Sequence, residues 1–337
     1  MSFQKSLQSI VSGNDLSEGE MVDAMTQVMD GKVSDTQLAA FLTALQVKKE
    51  TVHEIVGAAR VMREKAEKVK VKASHIVDTC GTGGDGADTF NISTAVAFVV
   101  AGAGVTVAKH GNRAVSSKSG SADVLKCLGV NIDASLKTVE RCIEEIGIGF
   151  LFAPLMHKAM KHAATVRKEL GFRTLFNILG PLTNPANAHA QVLGVFDSRW
   201  VNPLAVVLRD LGSRHALVVH GFDGLDEITL TGETQISELK NGDVTNYSFN
   251  PKEFGYSLCS SADLRGGVPE ENAEIIRGIL KGEQGFKTDI VILNAAAAVY
   301  VGGKAESIEK GILIAANSID SGEANKKLEE LCRVSNT

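Results

Sequence analysis

The chain has 337 residues, 44% of them hydrophobic and 22% charged, with a net charge of -5 at neutral pH. That length allows one large or two modest domains, and the composition is that of an ordinary globular protein with no disordered tract. The negative balance argues against general nucleic-acid binding, and the longest apolar runs, such as "TAVAFVVAGAGV", are too short to span a membrane.

Residues 1–72 are predicted to be helical. Three capping boxes follow one another: Ser17 with Glu20, Ser34 with Gln37, and Thr51 with Glu54. Each places a hydroxyl at the N-cap and a carboxylate or amide three residues on, which satisfies backbone N–H groups that lack a helical partner. Gly31 stands where a helix-ending glycine belongs. After Lys72 the pattern changes. The short runs "HIVDT", "VTVAKH", "IGFLFA", "QVLGVFD" and "HALVVHG" read as strands and alternate with helical segments, which predicts a parallel sheet covered on both faces. A helical piece, 157–170, interrupts the alternation and is a candidate to return to the first domain. From Pro269 onward the chain reads as helix, including an alanine run at 295–298. The five cysteines, at 80, 127, 142, 259 and 332, are odd in number and form no C-x-x-C pair. They read as reduced thiols of a cytoplasmic protein, and no apolar leader segment is apparent at the N-terminus.

The phrase "DTCGTGGDGADTFNIST" satisfies G-x-G-x-x-G through Gly81, Gly83 and Gly86. A dinucleotide site also needs a helix opening within the motif and an acid about twenty residues on for the ribose hydroxyl. Here no Asp or Glu occurs from Thr89 to Ala122, so a nicotinamide or flavin dehydrogenase is set aside. The acid-free window holds "KHGNRAVSSKSGSAD", with Lys109, His110, Arg113 and Lys118 among glycines and hydroxyls. Two loops of this kind, each after a strand, suit a dense anion such as a polyphosphate, since backbone N–H groups approach its oxygens and the cations neutralise it. "GFDGLDE" places Asp223, Asp226 and Glu227 at another strand end. Oxygen-only ligands beside a phosphate site suit Mg²⁺, although alone the phrase reads equally well as a solvated acidic turn. "RKELGFRTLFNILGPLTNP" holds Arg167 and Arg173 near a Gly-Pro turn. An arginine there is suited to a planar carboxylate, and without other context the pair reads as two surface arginines.

In this order and spacing, "GTGGDG", "NIST", "KHGNRAVSSKSGSAD", "RTLFNILGPLTNP" and "GFDGLDE" resemble the anthranilate phosphoribosyltransferase family, in its single-function form, over essentially the whole chain. The resemblance implies a fold of the nucleoside phosphorylase and phosphoribosyltransferase type. It has a small helical domain, 1–72, a larger α/β domain, 73–337, with a mainly parallel central sheet, and a homodimer formed through the helical domain. It implies transfer of the phosphoribosyl group from phosphoribosyl pyrophosphate to the amine of anthranilate, in tryptophan biosynthesis. Carried over by position, phosphoribosyl pyrophosphate is bound by Gly81, Gly84, Asp85, Thr89, Asn91, Ile92, Ser93, Thr94, Lys109, His110, Gly111, Asn112, Arg113, Ala114, Val115, Ser116, Ser117 and Ser121. Ser93, Asp226 and Glu227 would hold two Mg²⁺ ions. Asn112 and Arg167 would receive anthranilate, with Gly81, His110 and Pro181 lining its path and His157 as a further member. Lys161 falls where some relatives carry an aromatic residue. The implied partners are small molecules, with neither nucleic acid nor membrane, and no residue is assigned as general acid or base.

Two rivals share this fold. A pyrimidine nucleoside phosphorylase usually has Ser-Thr-Gly-Gly after its Lys-His, where this chain reads "GNRAVSSKSGSAD". A non-catalytic nucleic-acid-binding relative would lose the acidic pair and gain a basic groove, yet Asp226 and Glu227 remain.

Overall fold

The computed structural model describes residues 2–73, 75–114 and 118–337, so Val115, Ser116 and Ser117 of the expected phosphate loop lie outside the described residues. Four helices open the chain: α1 (Phe3–Val11), α2 (Glu18–Met29), α3 (Asp35–Lys48) and α4 (Val52–Lys65). The reciprocal caps at Ser17, Ser34 and Thr51 are all closed, and each N-cap contributes about 1 kcal/mol. Glu54 does more than cap. Its buried carboxylate accepts the Leu16 N–H at 2.9 Å and the Thr51 N–H at 2.8 Å, and pairs with Lys48 at 3.0 Å. One side chain thus ties the α1–α2 connection to the α3–α4 connection.

Strands and helices then alternate: β1 (Ile76–Gly81), α5 (Ile92–Gly102), β2 (Thr106–Gly111), α6 (Ser121–Leu128), α7 (Leu136–Ile146), β3 (Ile148–Phe152), α8 (Ala153–Met156), α9 (Lys161–Leu170), α10 (Leu175–Leu179), β4 (Ala190–Gly194), α11 (Val201–Asp210) and β5 (His215–Gly221). A hairpin of β6 (Thr234–Lys240) and β7 (Asp243–Phe249) follows, then α12 (Pro269–Leu280), α13 (Phe286–Val301), α14 (Ile308–Asp320) and α15 (Glu323–Ser335). The sheet order is β3-β2-β1-β4-β5-β6-β7. The first five strands are parallel and the last two antiparallel.

These are the α/β class and the five parallel strands that the alternation predicts. The hairpin is the addition. Its turn, Asn241-Gly242, has φ +53° and +94°, the mirror-image turn geometry that lets two twisted strands meet. Strand alternation assigns the two faces. Val192, Leu217 and Val219 pack with α5 and α13, while Leu193, Ala216 and Val218 pack with α4 and α11. The alanine run lies fully buried on α13, and a side chain at Gly311 of α14 would sit 2.5 Å from the Ala296 carbonyl. Small residues there allow two helix backbones to approach.

The piece 157–170 is broken at His157, and α9 packs against α2 and α3, with α10 against α3 and α4. The α9–α10 region therefore shares a core with the N-terminal helices.

At the hairpin, Glu238 of β6 is ringed by donors: Tyr300 at 2.7 Å, Tyr247 at 3.0 Å and His215 at 2.9 Å. Partial burial acts upward on its pKa, but these hydrogen bonds outweigh it and carry the value from 4.5 to about 2. A carboxyl depressed in the fold gives stability that is complete above its unfolded pKa and is lost as pH falls toward the folded value. Wild-type unfolding temperature should therefore drop between pH 4.5 and about 2, and Glu238→Gln should flatten that drop. Equal slopes for the two proteins in thermal scans at pH 5, 4 and 3 would remove the assignment.

Candidate active site

In an open parallel sheet, ligands bind beyond the carboxyl ends of strands where the chain order reverses. Here that point lies at β1, which has β2 on one side and β4 on the other. Strand ends β1, β4 and β5 close in on one another. A side chain at Gly81 would sit 2.9 Å from the Asp226 Cγ, and one at Gly194 would collide with the Asp226 backbone. Glycine at both strand ends makes room for the acidic turn after β5.

The glycine loop after β1 uses the left-handed backbone region at Gly83, Gly84 and Gly86, with φ +66°, +79° and +72°. Gly83 N–H donates to Asp226 Oδ2 at 2.8 Å, and the Gly84 carbonyl accepts from Arg173. Asp85 takes the Ala87 N–H at 3.2 Å, and Thr89 bridges to Arg265. Helix α5 begins only beyond the loop, at Ile92, unlike the dinucleotide motif, whose helix opens within its glycines.

The "NIST" run splits by face. Asn91 Oδ1 accepts from Ser119 Oγ and Asn272 Nδ2, both at 3.0 Å, and Asn91 Nδ2 donates to the Ser119 carbonyl at 3.1 Å. Ser93 Oγ accepts from Lys109 at 3.2 Å. Ile92 and Thr94 are buried, and the Thr94 hydroxyl has no hydrogen-bond partner among the described residues.

From β2 come Lys109 and His110. Lys109 is 3% exposed, and its ammonium also donates to the Thr79 carbonyl. Burial lowers its pKa, opposed by the charges of Asp78 and Glu227. The His110 ring meets His157 at 3.2 Å between Nε2 atoms, and one ring nitrogen is bonded to the Gly180 carbonyl beside Pro181. Burial pushes His110 down to about 3 and His157 to about 4, so both are neutral. Beyond Gly111, the Asn112 carbonyl accepts from Ala122 N–H at 3.1 Å and Ser121 Oγ at 3.3 Å. Asp123 holds the Ala114 N–H at 2.9 Å, the Gly120 N–H at 3.0 Å and Arg113 at 3.3 Å. The Lys118–Asp88 ion pair, 3.3 Å, joins the two loops.

The acidic turn differs from its sequence reading in one respect. Asp223 does not join the other two acids. It accepts from Thr229, Thr231 and the Leu225 N–H, closing its own turn. Asp85 takes its place beside Asp226. Burial, then the charge of Asp85, raise Asp226 to about 7, while the Gly83 N–H holds it down. Burial, then Asp226, push Glu227 well above the carboxylate range against the pull of Lys109, with the Ser93 N–H donating to it. A cation placed among these oxygens would relieve the repulsion. Among the described residues no three His, Cys, Asp or Glu side chains form a closed metal cage. Magnesium does not need one, since it binds through one or two carboxylates plus substrate oxygens and water, so the donor set fits.

Arg167, on α9, is part-buried with its guanidinium 5.3 Å from the Phe176 ring centre. Burial lowers its pKa, and no carboxylate pairs with it among the described residues. Lys161 opens α9 on an exposed face.

Sequence reasoning missed the supports of this site. Asp78, fully buried in β1, accepts the His110 N–H at 3.1 Å and Asn184 Nδ2 at 2.8 Å, and Asn184 also donates to the Ala108 carbonyl at 2.8 Å. The available signal was a lone acid within the otherwise apolar strand "HIVDT", because a buried carboxylate must find donors. Asn272 on α12 had no comparable signal.

Comparison with known proteins agrees with this geometry. Residues 4–66 match the helical bundle domain of the glycosyl transferase family, and residues 73–325 its a/b domain. The chain is 55% identical over 335 residues to an anthranilate phosphoribosyltransferase of Acetivibrio thermocellus, covering 99% of this chain and 97% of that protein. It is 56% identical over 333 residues to one from Alkaliphilus metalliredigens, covering 99% and 98%. It superposes on the crystal structure of the Thermus thermophilus anthranilate phosphoribosyltransferase with a TM-score of 0.94 at 45% identity, covering 98% and 99% of the two chains. The Saccharomyces cerevisiae enzyme in complex with PRPP and Mg gives a TM-score of 0.90 at 28% identity, covering 99% and 98%. The chain belongs to the anthranilate phosphoribosyltransferase family.

Proposed function

We infer that the chain transfers the 5-phosphoribosyl group of phosphoribosyl pyrophosphate to the anthranilate amine, releasing pyrophosphate, in tryptophan biosynthesis. The observation that carries this reading is the meeting of the glycine loop, buried Lys109 and the Asp85–Asp226–Glu227 acids at one strand switch point, in a chain 55% identical over its length to a named relative.

In this reading the two phosphate loops, Gly81 to Thr94 and Lys109 to Ser121, bind phosphoribosyl pyrophosphate. Ser93, Asp226 and Glu227 hold two Mg²⁺ ions, which would neutralise charge gathering on the departing pyrophosphate. Lys109 acts on the same charge, and fixed donors aimed where charge develops favour the transition state over the ground state. Asn112 and Arg167 hold anthranilate, with Gly81, His110, His157 and Pro181 along its path. The aromatic amine is neutral at pH 7, so the chain aligns it without an obligatory base. Two neutral, mutually bonded histidines are consistent with packing and polarity there, not proton removal.

We further propose a division near residue 72 into a helical and an α/β domain, with α9 and α10 belonging to the first, and a homodimer through that domain. Exposed Val11 on α1 and Val47 on α3, 67% and 76% accessible, support such a contact. Among the described residues no helix is long and apolar enough to cross a membrane, and the proposed location is the cytoplasm.

Mixing the protein with Mg²⁺, phosphoribosyl pyrophosphate and anthranilate should extinguish anthranilate fluorescence, and omitting the protein, Mg²⁺ or phosphoribosyl pyrophosphate should preserve it. Unchanged fluorescence with folded protein would count against the reading. Phosphate-dependent release of base from thymidine or uridine would favour the phosphorylase instead.

A further inference from the structure

Arg173 lies in the short connection between α9 and α10, exposed at the surface, and neither phosphate loop contains it. Its guanidinium nevertheless grips the glycine loop. It donates to the Gly84 carbonyl, and a side chain at Gly84 would sit 3.0 Å from both Nε and Nη2. Its flat face lies 4.0 Å from the ring centre of Phe196, just beyond β4. Phe196 is in turn tied to the loop base, its N–H donating to Thr82 Oγ1 at 3.1 Å, while Thr82 N–H donates to the Gly194 carbonyl at 2.9 Å.

The loop is therefore held at three points: its base by β4, Gly83 N–H by Asp226, and Gly84 carbonyl by Arg173. Left-handed glycines at 83, 84 and 86 would otherwise be the least constrained backbone in the site. In a planar trans peptide the C=O and the following N–H point in opposite directions. With the Gly84 carbonyl turned out to Arg173, the Asp85 N–H is directed away from it, and the Asp85 carboxylate is placed beside Asp226. The left-handed backbone at Gly84, φ +79°, disfavours a side chain there, and the guanidinium fills the space one would take.

We propose that Arg173 is a positioning residue for the phosphoribosyl donor: clamped on Phe196, it holds the Gly84–Asp85 peptide in the orientation that the glycine loop needs to receive the pyrophosphate. This rests on the transferase reading above and extends it to a side chain outside the phosphate loops. Arg173 stands three residues past the end of α9, which carries Arg167. One segment thus supplies the acceptor-site guanidinium and the brace for the donor loop.

The test is a double-mutant cycle on the full chain. Arg173→Ala should raise the KM for phosphoribosyl pyrophosphate about tenfold, the scale of one charged hydrogen bond. The KM for anthranilate should stay within about twofold of wild type, since α9 is untouched. Phe196→Leu, which removes only the stacking surface, should raise the donor KM roughly threefold. The double variant should be no worse than Arg173→Ala, because both act through one clamp. Arg173→Lys should recover part of the loss, keeping a donor for the carbonyl without the flat face. The ligand-free unfolding temperature of Arg173→Ala should match wild type, and its shift on adding phosphoribosyl pyrophosphate with Mg²⁺, without anthranilate, should shrink.

An unchanged donor KM and an unchanged thermal shift in Arg173→Ala would overturn the proposal while leaving the transferase reading intact. So would a silent Phe196→Leu beside an impaired Arg173→Ala, which would mean direct attraction between Arg173 and the donor. A wild-type protein that fails to transfer would overturn the reading of the site itself, and the thermal shift would then report on the donor loop alone.

Discussion

Asp226→Asn combined with Glu227→Gln is expected to lower kcat/KM for phosphoribosyl pyrophosphate by about a thousandfold, the upper end of what the loss of one preorganised donor costs. The geometry says why two neighbouring acids matter together. Both carboxyls are pushed upward by burial and by acidic neighbours, and only Lys109 and backbone N–H groups oppose this. Such a pair is a poor structural element and a good cation receiver. The amide variants keep shape and volume, so Gly83 N–H retains an oxygen to bond where Asp226 Oδ2 stood. Removing two repelling charges should leave the unfolding temperature of the ligand-free protein equal or higher, the opposite direction to the loss of activity. The measurement is a Mg²⁺ titration of initial rate, run beside thermal unfolding of both proteins. A variant with wild-type rate and Mg²⁺ dependence would remove the metal assignment. One that is inactive because it unfolds early would contradict the electrostatic argument.

How far the sequence could be read depends on the range of the interaction concerned. Local rules were enough for the three capping boxes, since Ser17, Ser34 and Thr51 bond within three residues of themselves. Strand alternation was enough for β1 to β5, because each reads as a short apolar run between helical stretches. The β6–β7 hairpin was legible in principle, from Asn241-Gly242 between alternating residues, but its half-exposed strands lack the apolar density of the others. At the site, residue types located the loops, while side-chain direction was not encoded locally. Thr94 lies within the phosphate motif yet its hydroxyl is buried without a partner among the described residues. Asp223 and Asp226 are three residues apart, yet one closes its own turn while the other meets Gly83 from a distant loop. The braces Asp78, Asn184, Asn272 and Arg173 act across separations of 32 to 181 residues. No periodicity reports such contacts, because only the sheet order decides which strand ends become neighbours.

Arg167→Ala is expected to cut kcat/KM for anthranilate by roughly a hundredfold or more while leaving the KM for phosphoribosyl pyrophosphate unchanged, because stripping one partner from a desolvated charge pair costs about 2–5 kcal/mol. Arg167 is suited to this role by what it lacks. It is part-buried, burial lowers its pKa, and no carboxylate among the described residues answers its charge. Its contact in the fold is the face of Phe176, which steadies the guanidinium without consuming its donors. A cation left without an anion in a partly dry position is costly unless a ligand supplies one. The planar fork matches a carboxylate through two parallel hydrogen bonds, so Arg167→Lys should restore only part of the loss. Aniline, which has the amine but no carboxylate, isolates the contact. Wild type should use it far less well than anthranilate, and Arg167→Ala should use the two more equally, because the group that distinguishes them is gone. Folding offers no alternative explanation for such a pattern, since Arg167→Ala breaks no ion pair among the described residues and its effect should be confined to one substrate. An anthranilate KM unchanged from wild type, or a loss shared equally by both substrates, would show that the acceptor carboxylate is held elsewhere.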